Sequence, residues 1–208
     1  MKGVQLQPSS PSSGTVFWGG TVRASNLPLL CQLRQSNENL EMPDGFLTNS
    51  KENQLLIINV IRKYQPEIVF CNSFEDRHPD HSKASQLVRD SCFLSGLVKI
   101  ITKDIDGNVQ KFWRPNAVYS YIQWKSLKPE FVVDISSSID VKISAVKCYK
   151  SQFYNPSSDE INTPISTKNF IESIRYRAAD LGRLTNLDYA EGFISDRLIA
   201  VESIFDIK

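Results

Sequence analysis

Residues 67–92 read "EIVFCNSFEDRHPDHSKASQLVRDSC", a stretch that joins two kinds of periodicity through one charged turn. Its first six residues are a short apolar run with β-branched members, the pattern of a buried strand. From Ser82 onward the apolar positions recur at helical spacing through Ala84, Leu87, Val88, Ser91 and Leu94, with Gly96 near the end. Between them lie His78 and His81, the only two histidines of the chain. Pro79 suits the first turn of a helix, where its missing N–H has no partner to lose. The turn therefore sits where a strand ends and a helix begins, the edge at which open α/β sheets gather ligands. On one helical turn, residues three apart face the same way, so His78 and His81 converge. That geometry suits a metal ligand beside a catalytic acid or base. It equally suits two histidines that cap the helix, and the spacing alone leaves both readings open.

Working outward, "ENQLLIINVIRKYQP" carries apolar residues at helical spacing and is stopped by Pro66. Downstream, "NAVYSYI" and "FVVDIS" read as strands, while "IDVKISAVKCYKSQF" and "TKNFIESIRYRAADLGRL" read as helices. Strands alternating with helices predict an α/β sheet with helices on both faces. Upstream, "MKGVQLQPSSPSSGTVFWGGTVRASNLPLL" is rich in Ser, Pro and Gly and has no periodicity. Residues 1–37 are thus expected to be irregular, and residues 38–208 to form the α/β domain. No repeat of fixed period occurs.

Composition narrows the function classes. Twenty-four Lys and Arg against 23 Asp and Glu leave no basic excess of the kind that nucleic acid attracts. No apolar run approaches the ~20 residues of a membrane span, and the N-terminus lacks the pattern of a secretion signal. Cys31, Cys71, Cys92 and Cys148 show no C-x-x-C spacing and read as reduced thiols of a cytoplasmic protein. No G-x-G-x-x-G or P-loop follows a strand, which argues against a nucleotide-binding enzyme.

"DRHPDH" followed by an apolar helix resembles the second signature of the LmbE-like (PIG-L) zinc-dependent N-deacetylases. The resemblance continues through "ENLEMPDGF", "IRKYQPEIVFCN", "SCFLSGL", "RPNAVYSYIQWKSLKPEFVVDIS", "KCYKSQFYNP" and "YAEGF". These segments are most similar to the branch that deacetylates N-acetylglucosaminyl-malate in bacillithiol biosynthesis. The resemblance implies a Rossmann-like, mostly parallel sheet flanked by helices, a zinc cofactor, a small-molecule N-acetylglucosaminyl substrate and a homo-oligomer. It implies that His81 is a zinc ligand, that His78 stabilises the oxyanion formed as water attacks, and that Asp80 orients an imidazole or the water. It implies a substrate carboxylate for Arg77, whose alternative is a solvated surface arginine. Tyr189 and Glu191 match the family's terminal motif at the site rim, with plain packing and one hydrogen-bonded carboxylate as the alternative.

The family also carries an N-terminal "AHPDD" string with two further zinc ligands and the general base, and a "GTRGT" loop. Neither string occurs here. "SSGTVFWGGTVRASN" echoes the loop at Gly14-Thr15 and Gly20-Thr21, but Gly19 stands at the arginine position. The N-terminal strand region is therefore expected to be missing or altered, with residues before Glu38 a truncated or misread leader. Zinc affinity is expected to be weak. The rival of a different class is a metal-free binding or assembly module on the same scaffold.

Overall fold

The computed structural model describes residues 3–6, 36–150, 152–156 and 163–207. Two compact units divide these residues. The first is built on Arg34–Lys128 and Ile194–Ile199, the second on Pro129–Phe193 and residues 200–207. The periodicity had pointed to one domain over 38–208.

In the first unit, β1 (Gly3–Leu6) pairs antiparallel with β2 (Ser36–Asn39) in a sheet of their own. Residues 3–6 are thus a strand where no periodicity announced one. Most of the expected leader lies outside the described residues. Helix α1 (Lys51–Tyr64) begins where Ser50 Oγ accepts from Asn53 N. It ends at Gln65, whose positive φ of 49° lets its N–H close on Ile61 O at 2.8 Å. Pro66 prevents continuation. Strand β3 (Ile68–Asn72) runs parallel to β4 (Ala117–Tyr121), with Asn72 opposite Tyr121. Helix α2 (Pro79–Ser95) starts at the predicted turn and packs on α1 and β3. Ile57, Val60 and Ile61 of α1, Val69 and Cys71 of β3, and Leu87, Val88 and Cys92 of α2 form one core.

A guanidinium is sealed into this unit. Arg62, 4% exposed, donates to the carbonyls of Ser95, Leu97 and Ile100 and to Thr102 Oγ1 at 2.6–3.0 Å. Burial lowers its pKa, yet a guanidinium keeps its proton, so the charge is solvated by the carbonyls where α2 ends. Helical spacing puts the Arg62 stem on the apolar face; the whole side chain is inside.

In the second unit, β5 (Phe131–Asp134) pairs antiparallel with the first four residues of β6 (Ala190–Ser195), and the Phe131 and Phe193 rings stack at 5.5 Å. The architecture is α/β with helices against sheet, and this pair, like β1 with β2, departs from the parallel pairing expected. β6 is the "YAEGF" stretch, too short and too rich in small residues to show alternation. Helix α3 (Ile139–Lys147) is shorter than its periodic stretch, and α4 (Lys168–Arg183) is capped by Thr167 Oγ1. Ile143, Val146 and Ile171 form the core between them. Gly182 is required near the end of α4: a Cβ there would stand 2.5 Å from Leu187 O. Among the described residues no helix is long and apolar enough to cross a membrane.

Candidate active site

The carboxyl ends of β3 and β4 lie side by side, and the loops that leave them are tied rung by rung. Asn72 Nδ2 donates to Gln123 Oε1 at 3.1 Å, Glu75 pairs with Lys125 at 2.5 Å, and the Arg77 guanidinium lies 4.8 Å from the centroid of Trp124. Parallel pairing places both loops at the same edge. Arg77 is exposed on this rim, and its guanidinium makes no ion pair among the described residues.

His78 is the N-cap of α2. Its extended backbone (φ −83°, ψ 126°) turns the ring so that Nδ1 accepts from Asp80 N at 3.2 Å. An imidazole that accepts at Nδ1 carries its proton, when neutral, at Nε2 and is a donor there. His81, one turn on, places its ring 5.1 Å from that of His78. The predicted convergence is therefore present, and the capping alternative is present with it: His78 does both.

Asp80 is fully buried, and its oxygens accept from Gly45 N at 2.6 Å and Leu47 N at 3.3 Å. The observed bonds hold the "MPDGF" loop against the start of α2, a different task from the imidazole or water orientation expected of Asp80. Met42 and Leu47 anchor the loop's ends in the core, Gly45 supplies a φ of 82°, and Phe46 stands 79% exposed. The motif is visible in the sequence, but its task is not.

A residue missed by sequence reasoning lies behind His81. The Asp76 side chain is 2% exposed, and its Oδ1 stands 3.4 Å from His81 Nδ1. This is ion-pair distance without hydrogen-bond geometry, and neither His81 Nδ1 nor Asp76 Oδ2 has a hydrogen-bond partner among the described residues. Burial pushes the Asp76 carboxyl up, but His81 and the backbone amides of Arg77 and Trp124 outweigh it, so the net shift is downward. Asp76 is held as the carboxylate. The signal available in the sequence was an acid in the loop just before the histidines, indistinguishable there from Glu75.

The metal implied by the resemblance can be tested against these groups. A ligating histidine is commonly held through its other ring nitrogen by a carboxylate, and His81 with Asp76 has that form. Catalytic zinc takes three protein ligands. Among the described residues no group of three His, Cys, Asp or Glu is placed to hold a metal ion. They offer one ligand and do not complete a centre.

Tyr189 and Glu191 belong to the second unit. Glu191 pairs with Lys142 at 2.5 Å, and the Tyr189 ring lies 5.6 Å below the Arg175 guanidinium, which itself bonds Asp140. Arg175 is raised by the Asp140 bond first and the Tyr189 contact second. Of the tryptophans, Trp113 donates to Pro66 O at 2.8 Å, Trp124 lies on the rim, and Trp18 is outside the described residues.

Comparison with known proteins bears on this edge. The PIG-L family, described as GlcNAc-PI de-N-acetylase, is matched over residues 20–92, from upstream of Glu38 through most of α2. A diacetylchitobiose deacetylase of Thermococcus kodakarensis is 30% identical over 118 residues, which are 55% of this chain and 42% of the relative. The chain thus spans about two fifths of that curated relative. Among solved structures, the conserved protein TT1542 from Thermus thermophilus is 30% identical with a TM-score of 0.67, covering 79% of this chain and 67% of that one. The N,N′-diacetylchitobiose deacetylase from Pyrococcus horikoshii shares the fold at 24% identity and a TM-score of 0.62, over 75% of this chain and 55% of its own. The strand, the "HPDH" turn and most of the helix fall inside the region that matches the PIG-L (LmbE-like) family.

Proposed function

We propose that the protein is a cytoplasmic hydrolase that removes the acetyl group from an N-acetylglucosaminyl conjugate, with N-acetylglucosaminyl-malate as the substrate. The observation that carries this reading is the His78–His81 pair at the joined carboxyl ends of β3 and β4. His78 Nε2–H is a donor suited to the oxygen on which charge develops as the amide carbonyl is attacked. Arg77, stacked on Trp124 and without an ion pair among the described residues, offers a planar fork to a malate carboxylate. The similarity to diacetylchitobiose deacetylases supports an N-acetylglucosamine-type substrate. Zinc is the metal proposed, with His81 as a ligand, and no step is derived through it because the described residues do not complete its site.

The test follows free amine release from N-acetylglucosaminyl-malate and from N,N′-diacetylchitobiose, with bound zinc measured in the same samples. Release is expected on addition of zinc. His78→Ala is expected to keep whatever zinc the protein binds and slow turnover about a hundredfold, while His81→Ala loses metal and turnover together. No release from either compound at saturating zinc would overturn the reading. A second reading, a metal-free binding or assembly module, is favoured by the chain having only two histidines and no "AHPDD". A folded protein that takes up no zinc at all would select it.

A further inference from the structure

We infer that Trp124 is a positioning residue: its indole face holds the Arg77 guanidinium on the rim, and through Arg77 it makes the site select a conjugate that carries a carboxylate. This deepens the proposed N-deacetylase reading and rests on it for where the conjugate lies. Strands β3 and β4 end opposite one another at Asn72 and Tyr121, so residues 73–77 and 122–125 leave the sheet side by side. The Asn72–Gln123 and Glu75–Lys125 bonds, at 3.1 and 2.5 Å, hold the two loops in register. Arg77 Cζ then lies over the Trp124 ring, 4.8 Å from its centroid, with both residues open to solvent. An exposed arginine explores many rotamers, and an aromatic face restricts it to those that stack. The charge held there is left for a ligand. Glu75, the acid two residues before Arg77, is engaged by Lys125, and the Asp76 side chain is turned inward. The Arg77 side chain itself makes no hydrogen bond or ion pair among the described residues. All five N–H groups of a guanidinium lie in its plane, so a ring against one face leaves them available at the edge. A carboxylate meets two of them at once, a charge-assisted pairing that a neutral ester does not match. With the cation over its ring, Trp124 serves the arginine rather than a sugar face.

The test is calorimetric binding of N-acetylglucosaminyl-malate and of its neutral dimethyl ester to the full chain, which reads the rim without needing turnover. The unaltered protein is expected to bind the acid more tightly than the ester. Arg77→Ala is expected to weaken the acid about tenfold or more and leave the ester unchanged. Trp124→Ala is expected to weaken the acid about twofold to fivefold, again sparing the ester. Trp124→Leu, which keeps bulk without a π face, should behave as Trp124→Ala does, and Trp124→Phe should restore most of the affinity. In an Arg77→Ala background Trp124→Ala should cost nothing further, because the indole acts only through the guanidinium. Equal weakening of acid and ester by Trp124→Ala and Trp124→Leu would overturn the inference, since the indole would then be meeting the sugar. So would an unaltered protein that does not prefer the acid, or acid binding unmoved in a folded Trp124→Leu protein. A preference for the acid that follows these variants, without amine release at saturating zinc, would count against the N-deacetylase reading alone.

Discussion

Charged side chains do different work in the two units. In the first unit two of them are buried: Arg62, at the C-terminal end of α2, is bonded to three carbonyls and a hydroxyl, and Asp80, at its N-terminal end, to two amides. In the second unit they sit near the surface and are bonded to one another, as Lys142 to Glu191 and Arg183 to Asp180. The first arrangement leaves buried groups stranded if one partner is removed; the second exchanges a partner for water. The first unit therefore uses these two charges to fix the two ends of α2, while the second unit's ion pairs stay in reach of water.

The largest effect that would break this comparison is at Arg62. Arg62→Ala strands two buried and two part-buried acceptors and opens a cavity, and is expected to lower unfolding free energy by about 3–5 kcal/mol. A urea melt of the first unit's transition reads it, and a loss below about 1 kcal/mol would mean that water replaces the guanidinium. Asp80→Ala is expected to cost about 2–3 kcal/mol, because two charge-assisted bonds to backbone are lost. If Asp80→Ala melts with the unaltered protein, the carboxylate is not what holds the loop.

Thiol labelling sharpens the same contrast kinetically. Burial pushes Cys71 up to about 11, whereas Cys148 of the second unit is half-exposed. In a Cys31→Ser background at pH 8, Cys71 should label at least about a hundredfold more slowly than free cysteine, since two pKa units are two decades of thiolate, and its burial should make it slower than the more accessible Cys148 as well. The same shift fixes a sign: the folded thiol stays protonated while the unfolded one ionises near about 8.5, so its contribution to stability is full below that value and is lost as pH rises toward 11. The smallest effect is at the second unit's surface. Glu191→Gln should change stability by less than about 0.5 kcal/mol, and a loss above about 2 kcal/mol would show that this ion pair is structural.

What could be read in advance follows the same division. The strand at 68–72, the helix at 79–95 and the turn between them were legible because two periodicities meet there and Pro79 marks the boundary. β6 was not, since "AEGFIS" shows neither period and is stabilised by pairing with β5 and by ring stacking across it. The histidine pair was legible from spacing alone. Asp76 was not, because what separates it from Glu75 is burial, and burial in a loop leaves no period. Nor were the backbone partners of Asp80, which lie 33 and 35 residues upstream.

That long-range grip has a consequence for motion. Between Met42 and Leu47, whose side chains are in the core, the segment around Gly45 is bonded to α2 through the Asp80 carboxylate, so its tip can lift once those bonds break while the helices beneath stay folded. Such an opening is cheaper than global unfolding and exposes the first turn of α2, where His78 and His81 reside. The amide protons of Gly45 and Leu47 should then exchange with solvent deuterium at a common rate, faster than those of Ile61 or Leu87. One side chain thereby sets both the resting shape of the rim and how often it lifts.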